Sequence, residues 1–235
     1  MENDNMDKKI TIYHGSKQIV EVPVFGEGKK NNDFGLGFYC TESDDLAKEW
    51  AVSSLRDGFS NRYTLDTAYL NILNLNSPDY TILNWIAVLV ELRVFSIRTP
   101  VARRAKQYLI DNFGINVSAY DLIVGYRADD SYFDYAEAFV NNGITVEQLA
   151  RAMRLGKLGE QIVIKSQFAF SKIRYEGFES ADKNTYYALR KARDDDANKT
   201  YLEILEKEAD GLYIQDIMRG GIKNDDPRIP RNLSK

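Results

Sequence analysis

Cysteine and histidine are nearly missing from this chain: Cys40 and His14 stand alone among 235 residues. A lone cysteine excludes a disulfide within the chain and fits a reducing compartment. One cysteine and one histidine cannot build a Cys/His zinc cluster. A Ser-His-Asp triad would have to use His14, and no G-x-S-x-G elbow is present. Phosphate loops are missing too. Gly28-Lys29-Lys30 lacks the Ser or Thr of a P-loop. Gly35-x-Gly37 precedes its strand instead of following one, and Cys40 stands where a dinucleotide fingerprint needs Gly or Ala. Positive charge is not in excess. The net charge of −4 provides no global field toward nucleic acid, although "RTPVARRAK" (98–106) could supply a local basic patch. The longest apolar run, Trp85 to Val90, falls far short of the roughly 20 residues a spanning helix needs. The opening "MENDNMDKKI" has no apolar core and does not read as a secretory signal. These absences predict a soluble, cytoplasmic protein with no membrane partner.

What is present is ordinary for a globular chain: 44% apolar and 28% charged residues, enough for a real core. Residues 1–9 are polar and read as a flexible N-terminus. "ITIYHGS" (10–16) predicts a short strand ending in a glycine turn. A polar loop follows over 23–35, and then "GFYCT" as a second strand. Thr41 with Asp44 marks a helix start, continued by "SDDLAKEWAVSSL" with Leu46 and Trp50 on one face. Residues 61–76 hold two alternating apolar stretches that suit strands. "YTILNWIAVLVELRVF" is apolar on nearly every side, as a buried helix would be. A second helix, "ARRAKQYLIDNFG", has a glycine stop. "YDLIVGYRADDS" predicts a strand running into an acidic turn, where Asp129-Asp130 reads as turn and helix cap ahead of metal site. "YFDYAEAFVNNG" and "TVEQLARAMRLG" predict two short helices, and "EQIVIKSQFAF" a strand. Residues 182–208 predict a charged helix whose "RKARDDDANK" is a solvated face. Strands and helices mix without regular alternation, which argues for an α+β fold. The predicted divisions are a main domain over 10–175, a helical extension over 176–219 and a polar tail over 220–235.

Chemistry-bearing side chains sit at strand ends. His14 closes the first strand, Tyr39 lies in the second, and Glu160 and Gln161 open a later one after Gly156 and Gly159. In "NDFGLGFYCT" the two glycines permit a tight turn, and the strand then presents Tyr39 on one face and Phe38 and Cys40 on the other. Phe38 and Cys40 are expected in the core, with Tyr39 lining a cleft.

Taken together, "YHGS", "DFGLGFYCTESDDLAKEWA", "ADDSYF" and "EQIVIKSQFAF" resemble a bacterial family of unknown-function proteins related to ADP-ribosyltransferases. The wider group is the His-Tyr-Glu branch, which includes poly(ADP-ribose) polymerases and diphtheria toxin. The resemblance covers residues 10–175 and continues weakly through "YYALRKARDDDANKTY" and "LYIQDIM". It implies two small antiparallel sheets facing an NAD cleft, with helical insertions at 80–113 and a C-terminal helix. It implies that His14 bonds a ribose hydroxyl of NAD, that the Gly15 backbone holds the nicotinamide amide, and that Tyr39 stacks on nicotinamide. The third catalytic place falls on Glu160 or, with the alignment shifted by one residue, on Gln161. The chemistry of the reaction leans toward Glu160. Ser16, Asp33, Phe34, Gly35 and Gly37 complete the set expected to touch NAD.

Such residue types suit the reaction. Nicotinamide leaves as a neutral molecule, so no general acid is needed. The barrier is an oxocarbenium-like ribose, which a fixed carboxylate stabilises. The implied function is NAD-dependent mono-ADP-ribosylation of a macromolecular acceptor, protein or nucleic acid. The implied setting is the toxin of a bacterial toxin–antitoxin or anti-phage system, with a neutralising antitoxin as partner. An NAD glycohydrolase and a catalytically weak NAD-binding module are the alternatives, the latter favoured if Gln161 holds the third place.

Overall fold

The computed structural model describes residues 9–128, 130–155, 159–206 and 210–231. Two small sheets and eight α-helices, among the described residues, make an α+β fold. The first sheet has strand order β1-β3-β7, from Lys9–Ser16, Gly58–Asp66 and Ile173–Ala181, all antiparallel. The second has order β2-β6-β5-β4, from Phe38–Cys40, Glu160–Ile164, Leu122–Tyr126 and Ile72–Asn74. Its β4–β5 pair is parallel, so the expectation of two purely antiparallel sheets is corrected there. Tyr13 and Thr41 exchange two backbone hydrogen bonds, of 2.7 and 2.9 Å, and join β1 to the end of β2.

Strand alternation builds the core in two layers. Ile12, Tyr63 and Leu65 from the first sheet meet Cys40, Leu122, Ile162 and Ile164 from the second in one buried cluster. The other face of the second sheet, with Ile123 and Val163, belongs to a larger cluster centred on α2 (Ile82–Leu92). Every residue of α2 from Ile82 to Val90 is buried, which is why its sequence is apolar on all sides. Asn84 donates to the Phe113 carbonyl at 3.0 Å and ties α2 to α3 (Pro100–Phe113).

Several boundaries differ from the sequence reading. Helix α1 (Asp44–Ala51) is capped by Ser43, whose Oγ accepts from Leu46 N at 3.3 Å; Thr41 is instead taken by its bridge to Tyr13. The helix stops at Ala51, before Leu55. Strand β6 ends at Ile164 because Ser166 caps a short helix, α6 (Gln167–Phe170), inside the stretch predicted as strand. Strand β7 runs across residue 175 and pairs with β3 from Gly58 to Leu65. The polar tail is docked as far as Arg231: Ile222 and Ile229 are buried, and Tyr108 donates to the Ile222 carbonyl at 2.7 Å. Lys9, placed in the loose N-terminus, pairs with Asp66 in β1. Asp129 lies outside the described residues, and Asp130 opens α4 (Asp130–Val140). After α5 (Val146–Leu155), the 24-residue α7 (Lys183–Glu206) crosses back over α1, followed by α8 (Ile214–Arg219).

Candidate functional site

Strand β1 carries His14 to the rim of the inter-sheet layer, where its ring lies 4.4 Å from Phe38. Its Nδ1 is 2.7 Å from the Tyr39 carbonyl oxygen. A carbonyl only accepts, so Nδ1 carries the proton. Burial lowers the pKa of this imidazole, against a smaller opposing effect of the same hydrogen bond. The neutral ring therefore turns a lone pair on Nε2 outward as an acceptor.

Tyr39 projects to the opposite face of β2 from Phe38 and Cys40, as the alternation predicts. Its hydroxyl donates to the Gly35 carbonyl at 2.6 Å and accepts from Phe34 N at 3.1 Å. Burial pushes this phenol well above its usual range, so the ring is held as a neutral wall. Gly35 adopts φ +73°, which lets the turn fold back under that hydroxyl. Lys165 clamps the same turn through the Phe34 and Leu36 carbonyls, both at 2.6 Å.

Asp33 is the anchor of the wall. It is 6% exposed and accepts from Arg93 Nη1 at 2.8 Å, Ala128 N at 2.8 Å and Gln161 Nε2 at 2.7 Å. Gln161 Nε2 also reaches the Tyr126 carbonyl at 3.1 Å. Both partners are acceptors, which fixes the amide with its nitrogen inward and leaves its oxygen to face the cavity. Arg93 in turn donates to the Ala128 carbonyl at 2.6 Å and lies 4.0 Å over the Phe133 ring.

These groups line a cavity of about 380 Å³. His14, Gly15, Asp33, Tyr39 and Gln161 form its wall; Lys29, Arg127, Arg190 and Trp50 form its rim. The Arg127 guanidinium sits 4.7 Å over the Trp50 ring. A second hollow of about 520 Å³ shares His14, Asn32 and Tyr39 and extends under the apolar loop from Ile19 to Val24. Asn61, fully buried, secures the start of that loop through the Ser16 hydroxyl and the Gln18 carbonyl, and its side-chain oxygen accepts from Val20 N.

The structure thus brings His14, Gly15, Asp33, Tyr39 and Gln161 together. Glu160 is not among the lining residues: it shares the β6 face of Ile162 and Ile164, while Gln161 shares that of Val163. Of the two candidates for the third place, Gln161 is the one that lines the cavity. Phe34 is fully buried in the core, touching the turn only through its backbone. Ser16 turns to the Gln18 carbonyl and lines neither hollow. Gly35 serves the turn. Gly37 serves packing, since a Cβ there would lie 2.6 Å from Val163 Cγ1, and it borders only the second hollow. Gly15 is likewise demanded by packing: a Cβ would lie 1.9 Å from the Ala47 carbonyl oxygen of α1. Trp50, Arg93, Arg127 and Arg190 were missed as site residues, because their approach is tertiary and no local pattern marks it. Among the described residues no group of His, Cys, Asp or Glu is arranged to hold a metal ion, and no helix is long and apolar enough to cross a membrane.

Fold and site together define an α+β protein with a polar, cation-rimmed cavity where two small sheets meet. The chain belongs to the DUF3990 family, described as protein of unknown function, which it matches over residues 10–175. No curated protein and no solved structure matches it.

Proposed function

We propose that the chain is an NAD-dependent mono-ADP-ribosyltransferase. The observation that carries this reading is the convergence of His14, Tyr39 and Gln161, from three strands of both sheets, on one cavity. In this reading the nicotinamide ring lies against Tyr39, whose face is fixed by the two hydrogen bonds of its hydroxyl. His14 Nε2 accepts from a ribose hydroxyl. The glycosidic bond breaks with its electron pair going to the nicotinamide nitrogen, which leaves neutral. An acceptor nucleophile then bonds the ribose carbon and loses its proton to water. The Gln161 carbonyl dipole opposes the developing positive charge. Incubation with labelled NAD tests the reading: label on a macromolecule is expected, and free ADP-ribose alone would make the chain a glycohydrolase. The toxin role rests on the resemblance alone. It predicts slowed growth of bacteria that make the protein, and relief by a neutralising partner; normal growth with soluble, NAD-cleaving protein would defeat it.

One observation favours a second reading, a catalytically weak NAD-binding module. Among the described residues the one carboxylate lining the cavity, Asp33, already accepts three hydrogen bonds, and an amide stands where the branch has its glutamate. Binding of NAD without nicotinamide release under prolonged incubation would select it.

A further inference from the structure

The wall leaves a property of the cavity unexplained. Among the described residues four cationic side chains line it, Lys29, Arg93, Arg127 and Arg190, against the single carboxylate of Asp33. Arg93 already pairs with that carboxylate at 2.8 Å. Lys29, Arg127 and Arg190 reach the rim from three separate segments: the β1–β2 loop, the residue after β5, and α7. The chain as a whole carries net charge −4, so this concentration is local and opposed to the general charge. Gathering like charges at one mouth costs free energy in the empty protein, which an anionic ligand would recover.

The rim is also built. Arg127 is held over Trp50. Arg190 is carried by a helix that is mostly exposed, yet one turn further on Arg193 makes a two-pronged pair with Glu49 of α1, at 2.8 and 3.1 Å. Glu49 is only 4% exposed, so this contact is a firm attachment and aims the preceding turn at the cavity. Neither Lys29 nor Arg190 has an ion-pair partner among the described residues.

We propose that Lys29, Arg127 and Arg190 form a binding site for the diphosphate of a nucleoside diphosphate ester, set beside the His14–Tyr39 wall. Three cations converging from different sides suit two linked phosphates, which spread several acceptor oxygens over a few ångströms, better than a single carboxylate. Guanidinium groups add paired donors that match phosphate oxygens. The inference deepens the NAD reading by naming how that ligand's charged centre is held, and it depends on that reading only for the identity of the natural ligand.

The test is calorimetric titration of the full chain with ADP, with adenosine as the uncharged control and inorganic pyrophosphate as competitor. ADP is expected to bind at least about tenfold more tightly than adenosine, to be displaced by pyrophosphate, and to weaken as salt is raised. The double variant Lys29→Ala, Arg190→Ala is expected to lose about tenfold or more in ADP affinity, with adenosine affinity unchanged. Arg190→Lys should recover part of that loss. Equal affinity for ADP and adenosine, or a folded double variant with wild-type ADP affinity, overturns the proposal. If the double variant is poorly folded, Lys29→Ala alone, on an exposed loop, gives the same comparison. The two readings fail separately: ADP binding without NAD cleavage defeats the transferase and leaves the diphosphate site, whereas NAD cleavage undisturbed by the double variant does the reverse.

Discussion

The wall and the rim of the cavity are built in opposite ways. In the wall, buried groups satisfy one another: Asp33 binds Arg93, Ala128 and Gln161, while the Tyr39 hydroxyl binds the Gly35 turn. In the rim, long cationic side chains on loops and α7 reach over the opening, and Lys29 is exposed. The wall is ordered before any ligand arrives, so little conformational entropy remains to be lost there on binding. The rim must still fix rotamer-rich side chains, each at a cost of about 0.5–1.5 kcal/mol. Geometry is thus the wall's contribution and charge the rim's.

Gly15→Ala should breach this division most severely. The added methyl would strike the Ala47 carbonyl and push α1 off β1. Because α1 carries both Trp50 and the Glu49 anchor of α7, wall and rim should fail together, with about 3 kcal/mol lost in urea unfolding. A variant as stable as the parent would show that α1 is free to slide. Asp33→Ala should damage the wall alone. It strands the Arg93 guanidinium and releases Gln161, at a cost of about 2 kcal/mol, because Arg93 keeps 22% of its side chain exposed and is partly solvated. ADP binding by this variant should persist, and its loss would mean that wall and rim are not separable.

If the chain cleaves NAD as proposed, Gln161→Ala should lower turnover on the order of ten- to a hundredfold with little change in NAD affinity, and the loss of its hydrogen bonds to Asp33 and Tyr126 should cost about 1–2 kcal/mol of stability. Glu160→Gln should leave turnover unchanged. The reverse pattern in a parallel NAD-cleavage assay would restore Glu160 to the site. The smallest effect concerns pH. His14 is the only histidine and its pKa is lowered below the ordinary 6.5, so the unfolded chain takes up a proton before the folded one. Its contribution to stability is therefore present above pH 6.5 and is lost as the medium is acidified through the folded value. His14→Gln should flatten the fall of the urea midpoint as the pH drops below 6.5, and an unchanged slope would assign it to other groups.

Much of the wall was legible because strand alternation is a local rule. Phe38, Tyr39 and Cys40 divide between faces as their order requires, and the same rule separates Glu160 from Gln161 once the strand is paired. What the rule could not supply was which face meets the cavity, since that depends on β6 lying between β2 and β5. Strand β7 was unread because Gly177 (φ +133°) and alternate charged residues interrupt its apolar pattern, and its pairing to β3 shifts register between Arg62 and Tyr63. The rim was illegible for a different reason. Arg127 and Arg190 are far apart in sequence, and "RKARDDDANK" looks like any solvated helix face until α7 crosses α1.

The faces of the two sheets pack broadly, but their backbone pairing is short. Beside the cavity, β1 and β2 are joined by the Tyr13–Thr41 pair and by the His14 ring on the Tyr39 carbonyl. The bridge lies between the strands that carry His14 and Tyr39 to the cavity, so a ligand held there would touch both sheets. The amide protons of Tyr13 and Thr41 then report on that bridge. They exchange with solvent only when that bridge opens, and a ligand held by both sheets would slow them by the factor it stabilises the bridged form. Occupancy of the site could be followed at two backbone positions that never touch the ligand.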